Sequence, residues 1–107
     1  MKRVLIKAIG TGLIASSALF GTLSHADGYQ IAKKYDCIKC HEVSQAKEGP
    51  SFQYIGGAYR GRSDAAGRIQ NPIRNGITYY YFWEKMPANR DMSDAELNEL
   101  TQWILKQ

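Results

Sequence analysis

The sequence is short of the features that most often set a small protein's architecture. Its 107 residues include two cysteines, two histidines and three prolines. There is no internal repeat, no low-complexity tract and no linker, so nothing splits the chain into several folding units. A clean apolar run of membrane length is also missing. Residues 8–23 are mostly apolar or small, but Gly10, Thr11, Gly12, Ser16, Ser17, Gly21 and Thr22 dilute them, and a spanning helix needs about 20 predominantly apolar residues. The two cysteines, Cys37 and Cys40, are so close together that a disulfide would close a tiny loop and constrain little.

What precedes residue 27 is sequence of another kind. Lys2, Arg3 and Lys7 form a basic start without an acid, the diluted apolar stretch follows, and Ser24-His25-Ala26 places small residues at the ends of the triplet. This is the pattern of a secretory signal peptide, with cleavage expected after Ala26. The working domain is then residues 27–107, in an exported, periplasmic protein with no membrane span and no cysteine placed for lipid attachment. Lys plus Arg drops from 14 to 11 on cleavage while Asp plus Glu stays at 10, so the mature charge is near +1, not +4. The basic balance belongs to the leader and gives no ground for nucleic-acid binding. Eighty-one residues bury only a thin core, and domains of that size often need a staple. A bulky apolar cofactor would fill that need better than the two cysteines.

The pattern predicts an all-α fold of three to five helices with no substantial sheet. Asp27 is placed to cap a helix over residues 28–36, with Ile31 and Tyr35 on one face. Residues 51–59 read as a second helix with Phe52, Ile55 and Tyr59 aligned, although Gly56-Gly57 weakens it. Ser63 can cap a third helix running to Asn75-Gly76, with a kink or early break expected at Pro72. Residues 77–92 have little helical character. The last helix is best marked: Ser93 and Glu96 form a capping box, Met92 and Leu97 fit a hydrophobic staple, and Leu97, Leu100 and Ile104 repeat on one face.

Cys37-Ile38-Lys39-Cys40-His41 carries the chemistry. Two thiols on one turn can add to the two vinyl groups of a haem, and the adjacent histidine then reaches the iron from the same side, the pattern of c-type haem attachment. A thioredoxin-like dithiol would need alternating strands and helices, which are not evident. Structural zinc wants four ligands, and the mature chain would have to add a carboxylate to Cys37, Cys40 and His41. His41 is the single histidine after residue 26, so two histidines from one chain cannot ligate the iron. Met86 precedes Pro87 in a non-helical stretch and is preferred over Met92 as the second axial ligand. A Met/His pair raises the potential and leaves no open position on the iron, which argues for electron transfer and against an enzyme.

The mature chain resembles the class I c-type cytochromes, specifically the small monodomain bacterial kind. The likeness spans nearly all of residues 28–106. It rests on the CxxCH motif, Gly49-Pro50 eight residues after the histidine, Ile73-Arg74-Asn75-Gly76, Met86-Pro87-Ala88-Asn89 and Trp103 in the final helix. It implies a small helical bundle wrapped around one covalent haem c. It also implies that the Pro50 carbonyl accepts the imidazole proton, that Asn89 donates to the methionine sulfur, and that Trp83 donates to a haem propionate. The family usually has a tryptophan in a Gly- and Pro-rich loop before the methionine. Here the stretch is Tyr79-Tyr80-Tyr81-Phe82-Trp83, so one of the tyrosines could take that part. Arg60 or Arg62 could pair with a propionate, and Lys33, Lys34, Lys39, Lys47 and Lys85 could steer acidic partners. The implied function is a periplasmic single-electron carrier, either a monomer moving between a redox donor and a terminal oxidase or reductase, or alternatively an electron-accepting haem subunit of a periplasmic dehydrogenase complex.

Overall fold

A computed structural model describes residues 27–78 and 85–107. The leader and the aromatic run, with Trp83, lie outside the described residues. Four α-helices are present among those described: α1 Gly28–Lys34, α2 Phe52–Tyr59, α3 Ala65–Asn75 and α4 Asp94–Leu105. A 3-10 turn, Cys37–Lys39, follows α1. Extended pairing among the described residues is confined to two isolated bridges, His41 with Ala46 and Ile77 with Met86. The all-α expectation holds.

Each helix starts where local chemistry tells it to. Asp27 accepts from the Tyr29 N–H at 3.0 Å and Ser51 accepts from Tyr54 N–H at 3.0 Å, satisfying orphan amide groups of a first turn. The capping box of α4 forms, with Glu96 N–H donating to Ser93 Oγ at 3.1 Å and the Glu96 carboxylate reaching back to the Ser93 amide. Met92 and Leu97 on either side of that cap are both buried in the same core cluster.

Two expectations need correction. The cap of α3 is Asp64, not Ser63, and its side chain makes no capping bond. The Asp64 carboxylate is held instead by Arg62, twice at 2.9 Å, and by Arg68 at 3.1 Å. Those two guanidinium groups lower the Asp64 carboxyl to about 2. Pro72 does not end α3 either; the helix runs on to Asn75. A proline removes one helical hydrogen bond, but Ile69 and Ile73 are both buried and hold the segment against the core on each side of it. The stop comes at Gly76, whose φ of 74° suits glycine and whose N–H closes on the Pro72 carbonyl at 2.8 Å.

The central element is α4, which packs against α1, α2 and α3. Two glycines allow the close approach. A Cβ on Gly28 would lie 2.1 Å from Trp103 Cβ, and one on Gly56 would lie 2.3 Å from the Ile104 carbonyl oxygen. Gly56 therefore costs α2 some helix propensity and returns backbone-to-backbone contact with α4. Phe52 completes the joint by meeting Trp103 edge-on, ring centroids 5.0 Å apart. Ile31, Ala32, Phe52, Ile69, Ile73, Met92, Leu97, Leu100 and Ile104 form the core.

A polar clasp ties α1 to α4. Lys34 Nζ is 2.8 Å from one Glu96 oxygen and the Tyr35 hydroxyl donates to the other at 2.6 Å. Lys34 and then Tyr35 lower the Glu96 carboxyl to about 2. Its folded value is thus below the unfolded one near 4.5. The stability it contributes is present above that unfolded value and is lost as pH falls toward 2. Thermal unfolding followed at several pH values should show a level midpoint down to about pH 5 and a decline below it. Glu96→Gln should flatten part of that decline. The effect is small, because the groups face water.

Candidate functional site

The site begins at the strained exit from α1. Tyr35 caps the helix and Asp36 turns left-handed at φ 61°, which starts the 3-10 turn that carries the cysteines. Within the turn, Cys40 N–H and His41 N–H both donate to the Cys37 carbonyl, at 3.2 and 3.0 Å. That wrap places both thiols on one short arc with the imidazole next to them. The cysteines are not joined to each other. Burial pushes the Cys37 thiol up, and the Cys40 thiol donates to Glu48 Oε2 at 3.1 Å. Among the described residues no group of three or more His, Cys, Asp and Glu side chains could hold a metal ion.

His41 is set by the segment that folds back over it. Gly49 N–H donates to the Cys40 carbonyl at 2.8 Å, Phe52 N–H to Glu42 O at 2.9 Å, and Gln53 N–H to Val43 O at 3.0 Å. These three bonds lay residues 49–53 along residues 40–43 and bring the Pro50 carbonyl to 2.6 Å from His41 Nδ1. With Nδ1 as the donor, Nε2 is the nitrogen free to ligate. Phe52 backs the imidazole, with ring centroids 5.4 Å apart.

Gly49 has a role that its residue type alone did not reveal. Its φ is not positive, so conformational freedom is not the reason for it. The reason is space: a Cβ there would stand 2.6 Å from His41 Cε1 and 3.0 Å from Nδ1. Gly49→Ala should therefore turn the ring and lengthen the bond to Pro50. In the haem-loaded ferric protein, the paramagnetic NMR shifts of the haem methyls report the imidazole plane and should be rearranged. An unchanged pattern would show that the neighbouring loop yields instead of the ring.

Met86 arrives from the other side of the chain. Its N–H and carbonyl both pair with Ile77, at 3.1 and 2.8 Å, so the loop between them is closed at its neck. Gly76 makes room for that neck, since a Cβ there would lie 2.7 Å from the Met86 carbonyl oxygen and 2.9 Å from Ala88 N. Asn89 N–H donates to Ile73 O at 2.7 Å and anchors the far end. Met92 is buried in the core at 2% exposure, which leaves Met86, half-buried, as the available thioether.

The other expected residues have different partners. The Asn89 side chain points one N–H at the Tyr35 carbonyl, 3.4 Å away, and not at sulfur. Arg60 donates to the Leu105 carbonyl at 2.7 Å, closing the C-terminal end of α4, and Arg62 is committed to Asp64. Lys33, Lys34, Lys39, Lys47 and Lys85 are all exposed, with Lys34 on Glu96 and Lys39 3.5 Å from Asp36.

The donor set suits a haem. One imidazole has a free Nε2 and a held Nδ1, one thioether is half-exposed, and two thiols not joined in a disulfide share a turn. Cys37, Ile38, Val43, Ile55, Tyr59 and Met86 pack on the core while remaining half-exposed, the condition of apolar side chains that a flat apolar group would cover. No helix among the described residues is long and apolar enough to cross a membrane.

Known proteins agree with this geometry. The family described as cytochrome c oxidase, cbb3-type, subunit III matches residues 24–104. Cytochrome c-552 of Nitrosomonas europaea is 35% identical over 101 residues, covering 94% of this chain and 97% of that protein. Cytochrome c-552 of Hydrogenobacter thermophilus is 34% identical over 76 residues, covering 71% and 76%. The crystal structure of wild-type Nitrosomonas europaea cytochrome c552 superposes with a TM-score of 0.65 at 35% identity, covering 73% of this chain and 96% of that one. These relatives do not favour a dehydrogenase subunit. The chain belongs to the cytochrome c family, among its small single-domain bacterial members, and is an electron carrier with a covalently bound c-type haem.

Proposed function

We propose that Cys37 and Cys40 hold the haem through thioether bonds, that His41 and Met86 are its axial ligands, and that the mature chain, residues 27–107, shuttles single electrons between periplasmic redox proteins without catalysing a reaction of its own. The observation that carries this reading is the 2.6 Å approach of His41 Nδ1 to the Pro50 carbonyl, which leaves Nε2 as the ligating nitrogen of the residue that follows Cys40. Haem, when bound, supplies a one-electron iron couple. The chain's own part is positional. Pro50 fixes the tautomer and plane of His41 and raises its basicity as a ligand. The bridge between Ile77 and Met86 holds the sulfur-bearing loop in place, and the half-buried apolar residues keep water from the pocket. Lys39 in the attachment turn and Lys85 beside Met86 favour acidic partners at the moment of encounter.

The test is the optical spectrum of the purified mature protein, oxidised and then reduced. A low-spin spectrum with the weak long-wavelength band of Met-ligated ferric haem is expected. A high-spin ferric spectrum would overturn the Met86 assignment. The mature mass, measured on the same sample, should start at Asp27 and include one haem.

A further inference from the structure

Tyr35 stands at a junction that neither the attachment motif nor the methionine loop explains by itself. Its hydroxyl donates to Glu96 Oε1 at 2.6 Å, and the same carboxylate is engaged by Lys34 at 2.8 Å and by the Ser93 cap. Its carbonyl receives the Asn89 side chain at 3.4 Å, three residues after Met86. Its backbone leads directly into Asp36, the one non-glycine residue with positive φ among those described, and from there into Cys37. A side chain with that backbone conformation persists when its surroundings hold it in place. The surroundings here are the start of α4 on one side and the end of the methionine loop on the other.

We propose that Tyr35 is a positioning residue: anchored by Glu96, it presents its carbonyl to Asn89 and so holds residues 86–89 on the site while seating the Cys37 turn. This rests on Met86 being the sixth ligand. The hydrogen bond from a phenol to a carboxylate is charge-assisted and is stronger than a neutral one. Losing it frees the Tyr35 backbone to shift, and the Asn89 contact, already long, is the first to go. Met86 is then held less firmly, and a small external ligand competes better with the methionine sulfur. The clasp between α1 and α4 is thereby linked to the ligand loop across Tyr35.

The experiment is a titration of the ferric holoprotein with imidazole, followed by loss of the long-wavelength methionine band. Tyr35→Phe keeps the ring and removes only the hydroxyl. It should bind imidazole severalfold more tightly than the parent. Glu96→Ala should do the same, and the double variant should add little beyond either single one, as expected for two halves of one contact. Arg60→Ala breaks a bond at the far end of α4 and is the control for lost stability. It should lower the melting temperature and leave the imidazole affinity unchanged. Tyr35→Phe with parental affinity, or with no more effect than Arg60→Ala at matched stability, overturns the proposal while Met86 ligation stands. A parent protein without the methionine band overturns both.

Discussion

Serine at both Cys37 and Cys40 leaves a protein from which haem can be extracted with acid. A serine hydroxyl does not add to a vinyl group under the conditions in which a thiol does, so both covalent bonds are lost together. The loss reaches further than the cofactor. The residues Ile38, Val43, Ile55, Tyr59 and Met86 are only partly buried against the core, haem would complete their burial, and a domain this small has little other apolar surface to spare. The double variant should therefore lose most of its cooperative melting as well as its haem absorbance after acid extraction. Haem retained through extraction would refute attachment at these cysteines. The single variants should each keep one bond and fall between the parent and the double variant.

Met86→Ala should have the second largest effect. Its backbone pairing with Ile77 does not depend on the side chain, so the loop neck can survive while the sulfur is gone. The iron then takes water or an added ligand in the sixth position. Thioether ligation favours the reduced metal relative to harder donors, so the potential should drop markedly. The ferric spectrum should turn high-spin and lose its long-wavelength band. Met92→Leu is the companion measurement. Met92 is buried in the core beneath α4, so this volume-conserving exchange should cost about 1 kcal/mol or less of stability and leave the spectrum untouched. A spectrum that changes with Met92 and not with Met86 would reverse the assignment.

The parts of the fold that could be read from the sequence are those whose causes are local. The start of α4 is written in Ser93 and Glu96, three residues apart on one turn, and in the flanking Met92 and Leu97; all four behave as their positions demand. The Asp27 and Ser51 caps were legible for the same reason. The cap of α3 was not, because the choice between Ser63 and Asp64 depends on Arg62 and Arg68 competing for the same carboxylate. Pro72 was misjudged in the other direction: its intrinsic cost is local, but burial of Ile69 and Ile73 is tertiary and outweighs it. The same division runs through the site. The cysteine pair and histidine are contiguous and plain to see. The requirement for glycine at 49 arises from an imidazole eight residues earlier, and the hub at Tyr35 depends on Glu96 and Asn89, more than fifty residues away. No periodicity or motif announces such contacts, since only the closed fold brings them together.

The joint between Gly28 and Trp103 also bears on how the molecule is made. It fastens the first helical residue to the last turn of the final helix, so the chain must close nearly its longest possible loop before the bundle is complete. Loop closure of that length is entropically unfavourable and comes late. Until the C-terminal residues emerge, α1 has no Trp103 to pack on, and the Cys37 turn that follows it has no fixed base. The thiols thus stay accessible until the last helix docks. Haem can therefore join an open polypeptide, and the completed fold then closes behind it.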